Sequence, residues 1–207
     1  MAMIAGLILL LLTSSTSLTQ SQTSPTGVVT ITATSANVAE PGVEVKINIL
    51  RWSADEQRDQ LIAAFKSPPA PAAKTGRGGR GGRGDAPADP TVALATAIGK
   101  LPTTGYVWTN EPVGYAIKHA YRASTPDGGE RIVLATDRLL GGLSPASTLA
   151  VPATDYQFTL IELRFDRGGG GEGKTSLTTK VVVDEQARTI ALENYDAAPA
   201  TLRNLKR

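Results

Sequence analysis

The chain has 207 residues, 41% of them apolar and only 5% aromatic, with a formal net charge of +2. That length is enough for one domain with its own hydrophobic core, and so small a net charge sets up no long-range field to gather nucleic acid or acidic lipid. Cysteine is absent and histidine occurs once, as His119, which excludes disulfides, thiol nucleophiles, iron–sulfur clusters and thiolate zinc sites and leaves any metal to carboxylates.

Met1 to Leu12 is an uncharged apolar run. It falls short of the ~20 residues of a membrane span and matches the apolar region of a secretory signal. Ser15-Thr16-Ser17 supplies small residues for cleavage. Residues 1–20 are therefore expected to be a signal peptide. The protein is expected to be exported, periplasmic or secreted, with no stable membrane span after cleavage. Residues 27–207 are expected to form a single globular domain. Val28 to Thr34 has strand composition. After the Glu40-Pro41-Gly42 turn signal, Val43, Val45, Ile47 and Ile49 alternate with polar residues and share one face of a half-buried strand. Ser53 and Glu56 have capping-box spacing at the head of a helix whose apolar stripe is Leu61, Ile62 and Phe65, and Ser67-Pro68-Pro69 ends it.

Residues 67–89 are rich in Pro and Ala and carry Arg77, Arg80 and Arg83 among glycines. Such a segment has no apolar surface to bury and is expected to be a disordered loop. RNA-binding Arg/Gly tracts interleave aromatics, which this one lacks, and three arginines on a loose loop release few counterions. Nucleic acid is not expected as a partner. Arg83-Gly84-Asp85, which resembles an integrin-binding tripeptide, is a by-product of the repeat. Asp89 then caps a second helix with Pro90 in its first turn, and Val92, Leu94, Ala95, Ile98 and Leu101 supply its buried side.

Strand patterns resume at Gly105 to Trp108. In Tyr115 to Arg122, Tyr115, Ile117, His119 and Tyr121 fall on one face by alternation. Pro126-Asp-Gly-Gly129 is a turn, and Arg131 to Asp137 returns as the second arm of a hairpin. In Gln157 to Asp166, Ile161, Leu163 and Phe165 share one face, with Phe158 and Leu160 opposite. Thr175 to Asp184 is expected to pair antiparallel with it through a glycine turn at residues 168–173. Thr189 to Tyr195 follows, and Ala200 to Leu205 makes a last short strand.

Gly168 to Thr175 fits the phosphate-loop string G-x4-G-K-[ST] letter for letter. A working phosphate loop needs a helix after it, whose N-terminal amides hold the phosphate. Thr175-Ser-Leu-Thr-Thr-Lys-Val-Val-Val183 has β-branched strand character instead. The string is therefore expected to be a hairpin turn with Lys174 in water, and no cofactor is assigned. Glu162, Arg164 and Asp166 alternate on one strand and are expected on the wet face of the sheet. As a general base, His119 would need an orienting carboxylate, and no local motif places one.

The fragments Asp155-Tyr156, Phe158-Thr-Leu-Ile-Glu-Leu-Arg164, Gly171-Glu-Gly-Lys174 and Leu192-Glu-Asn-Tyr195, with Pro199 and Leu202, resemble the ending of a group of uncharacterised exported bacterial proteins. Trp52 to Phe65 and Gly105 to Asp137 fit the same group, and the Arg/Gly insertion departs from it. The group has no assigned activity, so the resemblance implies export and fold but no functional residues.

The expected fold is α+β: a strongly bent, mostly antiparallel β-sheet or barrel of about eight to nine strands, with two helices over one face or one end. The expected function is a non-catalytic binding or interaction module for a small molecule or a protein. Its contacts would come from Tyr106, Trp108, Tyr115, His119 and Tyr121, which gather four of the chain's ten aromatics and its one histidine in one segment. The alternative is a carboxylate-based hydrolase of the cell envelope, with or without His119. No catalytic or metal-binding set is assigned.

Overall fold

The structure, a computed structural model, describes residues 27–67, 89–150 and 155–207. The expected signal at 1–20 and the Arg/Gly repeat of the 67–89 loop lie outside the described residues. The elements in order are β1 Val29–Ser35, β2 Glu44–Ile49, α1 Asp55–Lys66, α2 Pro90–Lys100, β3 Gly105–Trp108, β4 Tyr115–Ser124, β5 Glu130–Thr136, a 3-10 turn Gly141–Leu143, β6 Leu160–Phe165, β7 Gly171–Thr175, β8 Val181–Asp184, β9 Thr189–Leu192 and β10 Leu202–Lys206.

Eight strands close into an antiparallel barrel in the order β1-β2-β3-β4-β5-β6-β7-β10, with β10 returning to β1. Every neighbour in the wall is therefore the next barrel strand in the chain, which makes the barrel a simple meander. Closure removes both sheet edges. Two excursions leave this path: α1 and α2 between β2 and β3, and the β8–β9 hairpin between β7 and β10. The fold is the α+β class the pattern predicts, with the barrel closed.

Two packed layers result. Inward residues of the wall, among them Ile31, Val45, Ile47, Ile49, Val107, Ile117, Leu134, Ile161, Leu163, Phe165 and Leu202, fill the barrel. Val38, Leu140 and Leu143 belong to the same cluster and come from the connections at one end, where Val38 bridges to Pro145. The second layer lies against the outer wall. There Leu61 of α1 and Leu94 and Ile98 of α2 pack with Val133, Ala135, Leu160, Val181, Ile190 and Leu192. The alternation in β6 divides as expected, with Ile161, Leu163 and Phe165 inside the barrel and Phe158 and Leu160 in the flank.

Several local expectations are corrected. The first residue before α1 is Ala54, whose amide donates to the Gln57 carboxamide at 3.0 Å. Ser53 instead stitches the helix entry to the wall: its amide donates to the Ala120 carbonyl, and its hydroxyl accepts from the Ala120 amide at 3.1 Å. Asp89 does cap α2, accepting from the Thr91 amide at 2.8 Å.

The glycine run is shorter as a turn than expected. Residues 166–170 make the turn, with Gly169 at φ +82°, and Gly171 is already paired with Phe165. A Cβ on Gly171 would sit 2.1 Å from the Arg164 carbonyl oxygen, and one on Gly173 would sit 2.6 Å from Leu163 Cδ2. Those two glycines let strands approach closely rather than turn. The stretch expected as one strand, Thr175 to Asp184, is two. β7 ends at Thr175, the Thr178 amide closes a turn on the Thr175 carbonyl, and β8 pairs only with β9.

Candidate binding surfaces

The five aromatic or imidazole residues singled out from the sequence fall into three surroundings. Tyr106 and Trp108 point outward from β3, because Gly105 and Val107 take the inward positions. They are 39% and 40% exposed, and among the described residues they are the exposed aromatics. Their ring centroids are 6.3 Å apart at 39°. Across the ladder, Asn48 stands beside Tyr106 and Lys46 beside Trp108, on the same face. Thr30 donates to the Asn48 side-chain oxygen at 3.2 Å. Gly114 lies under Trp108, where a Cβ would come within 2.9 Å of the indole. The outward residues of β1 and β2 beside this pair are exposed or half-buried.

Tyr115 belongs to the barrel filling. Its hydroxyl donates to the Glu111 carboxylate at 2.5 Å and accepts from the Gly141 amide at 3.2 Å, while Arg138 lies 4.5 Å over the ring. Burial, reinforced by the Glu111 bond, raises its pKa. It locks the 3-10 turn over one end of the barrel.

His119 and Tyr121 do not share a face with Tyr115 and Ile117. A register shift between Ile117 and His119 turns the strand, so that His119 opposes Ala135 and Tyr121 opposes Val133, both in the flank. His119 is 0% exposed and stacks on Tyr121 with centroids 6.4 Å apart. Neither ring nitrogen has a hydrogen-bond partner among the described residues. Burial, helped by the Arg58 charge, lowers its pKa to about 4. Arg58 covers the pair: it donates to the Tyr121 hydroxyl at 3.2 Å and is held by Asp55 at 2.8 Å and Asp59 at 3.0 Å. A neutral imidazole sealed from solvent, with no carboxylate to orient it, has none of the geometry of a general base.

Of the row expected on the wet face, Asp166 is exposed, but Glu162 is not where alternation puts it. Glu162, expected in water, is 0% exposed because the β8–β9 hairpin and the segment after it lie over it. It binds Arg131 Nε at 2.9 Å and Arg164 Nη2 at 3.0 Å, and accepts the Leu192 amide at 3.0 Å. Arg131 reaches on to Asp184 at 2.7 Å. Burial alone would raise the Asp184 pKa, but the Ala187 amide and Arg131 hold it below the usual carboxylate range.

Lys174, likewise expected in water, is 3% exposed. Its ammonium donates to the Tyr195 carbonyl at 2.5 Å and pairs with Glu172 at 3.1 Å. The residue after it continues β7, so no helix N-terminus faces the glycine run, and the phosphate-loop resemblance has no structural counterpart. These groups pair with one another and clamp the hairpin to the wall, although Arg131 Nε meets Glu162 as an ion contact without hydrogen-bond geometry.

A concavity of ≈ 850 Å³ opens at the barrel end opposite Tyr115, lined by Arg122, Arg167, Lys206 and Arg207 together with Glu130 and Asp166. Sequence reasoning did not find this group. The one available signal is that Arg167 falls in the β6–β7 turn and Arg122 in the last turn-proximal residues of β4, which places both near one end of the barrel. No group of His, Asp or Glu among the described residues is arranged to hold a metal ion, and no described helix is long and apolar enough to cross a membrane. No protein-family model matches the chain, and neither a curated protein nor a solved structure is significantly similar to it.

Proposed function

We propose that the protein is an exported, non-catalytic binding module that meets a small molecule or a protein through the outer face of β3. The observation that carries this reading is the exposed Tyr106–Trp108 pair on a wall that neither helix covers. Large rings held on a rigid strand supply contact area at little side-chain entropy, and binding surfaces favour them for that reason. Asn48 and Lys46 add polar groups at the rim. The barrel lumen is filled with side chains, so the contact surface is an outer one. The hydrolase alternative draws no support from His119 or Glu162, both enclosed.

The test is a binding screen of the cleaved protein against soluble glycans, peptides and metabolites, read by tryptophan fluorescence. A double Tyr106→Ala, Trp108→Ala variant that keeps its thermal midpoint should lose about 30-fold or more in affinity for a true ligand, as for two-ring hot spots. Hits indifferent to that variant, or no hit at all, would refute the assignment of this face. Export is tested separately by fractionation and mass spectrometry of the mature N-terminus. An intact chain that retains Met1 and stays in the cytosol would sink it.

A further inference from the structure

We propose that the open end of the barrel binds a small multivalent anion, either a polycarboxylate or a phosphate ester. The site is the concavity of ≈ 850 Å³ bounded by the end of β4, the β4–β5 turn, the β6–β7 turn and the end of β10. Its volume is within the ~300–1,000 Å³ typical of small-ligand sites. It shares no residue with the Tyr106–Trp108 face, and each stands or falls alone.

The charge pattern points to the ligand. Counted over side chains, four cations (Arg122, Arg167, Lys206, Arg207) line the hollow against two carboxylates (Glu130, Asp166), a surplus of two positive charges. That surplus equals the formal net charge of the whole chain, so it is a concentration of charge and not a sample of an evenly basic surface. Each carboxylate is engaged through one oxygen. Glu130 pairs with Arg207 at 2.5 Å, and that guanidinium lies 4.2 Å over the Phe165 ring, so the pair forms the neutral inner wall. Asp166 accepts the Gly170 amide at 3.0 Å within its own turn.

The three remaining cations come from separate stretches of chain and are held with donors to spare. Arg122 lies 5.1 Å over the Trp52 ring, a contact that uses the face of the guanidinium and leaves its edge free. Arg167 donates through Nε to the Asp127 carbonyl, leaving both terminal nitrogens. Gly128, at φ +80°, makes room for it: a Cβ there would stand 2.6 Å from Arg167 Nε. The Lys206 side chain makes no hydrogen bond or ion pair among the described residues. Unpaired cations brought together repel one another, and an anion with two or more charged oxygen groups relieves that repulsion while its oxygens match the planar guanidinium edges.

The experiment is calorimetric titration of the full chain, at low ionic strength, with citrate and separately with inorganic pyrophosphate. Saturable one-to-one binding by either is expected, and the stronger arm identifies the carboxylate or the phosphate class. Arg167→Gln and Lys206→Gln should each weaken it about tenfold, the loss of one charge-assisted hydrogen bond. Lys100→Gln, at the exposed end of α2, should not change it, and Tyr106→Ala with Trp108→Ala should leave it intact. Thermal midpoints of all variants establish that they are folded. No saturable binding by either anion, or binding unchanged in both cleft variants, overturns the proposal.

Discussion

The inside of the barrel and its flank are packed by different chemistry. Inside, apolar residues from seven of the eight wall strands meet one another, with β7 offering only glycines at its close approaches and the Tyr115 hydroxyl bonded at the capped end. In the flank, a comparable apolar layer surrounds buried charge: Arg131, Glu162, Lys174 and Arg58, with neutral His119 nearby. The interior gains stability from burial alone and tolerates changes of shape poorly. The flank depends on each charge having its partner, since an orphaned buried ion costs more than the pair contributes. The wall is therefore the framework, and the ionic cluster is what fixes the register of the inserted hairpin on it.

The sharpest way to break this contrast is Glu162→Ala, which removes the buried carboxylate shared by Arg131 and Arg164 and leaves the buried Arg131 with Asp184 alone. Urea denaturation should show a loss of about 3–5 kcal/mol. A loss below about 1 kcal/mol, the value of a solvated surface pair, would mean that the flank is wet and the two layers are not different in kind. Inside the barrel, Leu134→Ala should cost about 2–5 kcal/mol by the same measurement, with no change in its dependence on salt. The Glu162 variant, by contrast, should alter that dependence.

Acid separates the layers further. The His119 pKa is lowered from 6.5 to about 4 by burial. As pH falls below 6.5 the unfolded chain takes up a proton that the folded chain refuses until about 4, so stability falls with pH across that window. The loss approaches about 3 kcal/mol at the acid limit. His119→Leu should flatten the difference between urea midpoints at pH 7 and pH 4.5. A slope identical to that of the parent would show that the imidazole reaches solvent. The smallest effect expected is at the edge of the flank, where Asp89→Ala removes the cap of α2 and should cost about 1 kcal/mol, read as a small drop in thermal midpoint.

The interior was legible because a strand with one buried face writes its burial every second residue. Val45, Ile47 and Ile49, or Ile161, Leu163 and Phe165, carry that signal directly. Asp89-Pro90 was legible because a cap is local chemistry. What failed was non-periodic or remote. One extra residue between Ile117 and His119 reverses the faces that follow, and no composition marks it. Glu162 alternates like a wet residue, and its cover arrives from β8 and β9 far along the chain. Thr175 to Thr179 has strand composition yet turns. The candidate site divides in the same way: Tyr106 and Trp108 follow from alternation in one strand, whereas the cleft cations meet only through the closure of the barrel.

That closure has a consequence for how the molecule comes into being. The ladder that seals the wall joins residues 29–35 to residues 202–206, so β10 completes a wall that β1 began. A contact across nearly the whole chain is slow to form, because most of the loop must be organised before it is rewarded. Until β10 arrives, β1 and β7 remain two unsatisfied edges of a curled sheet, open to pairing with another chain. The interval between the emergence of Thr175 and of Lys206 is then the stretch of biosynthesis in which a chaperone has most to protect.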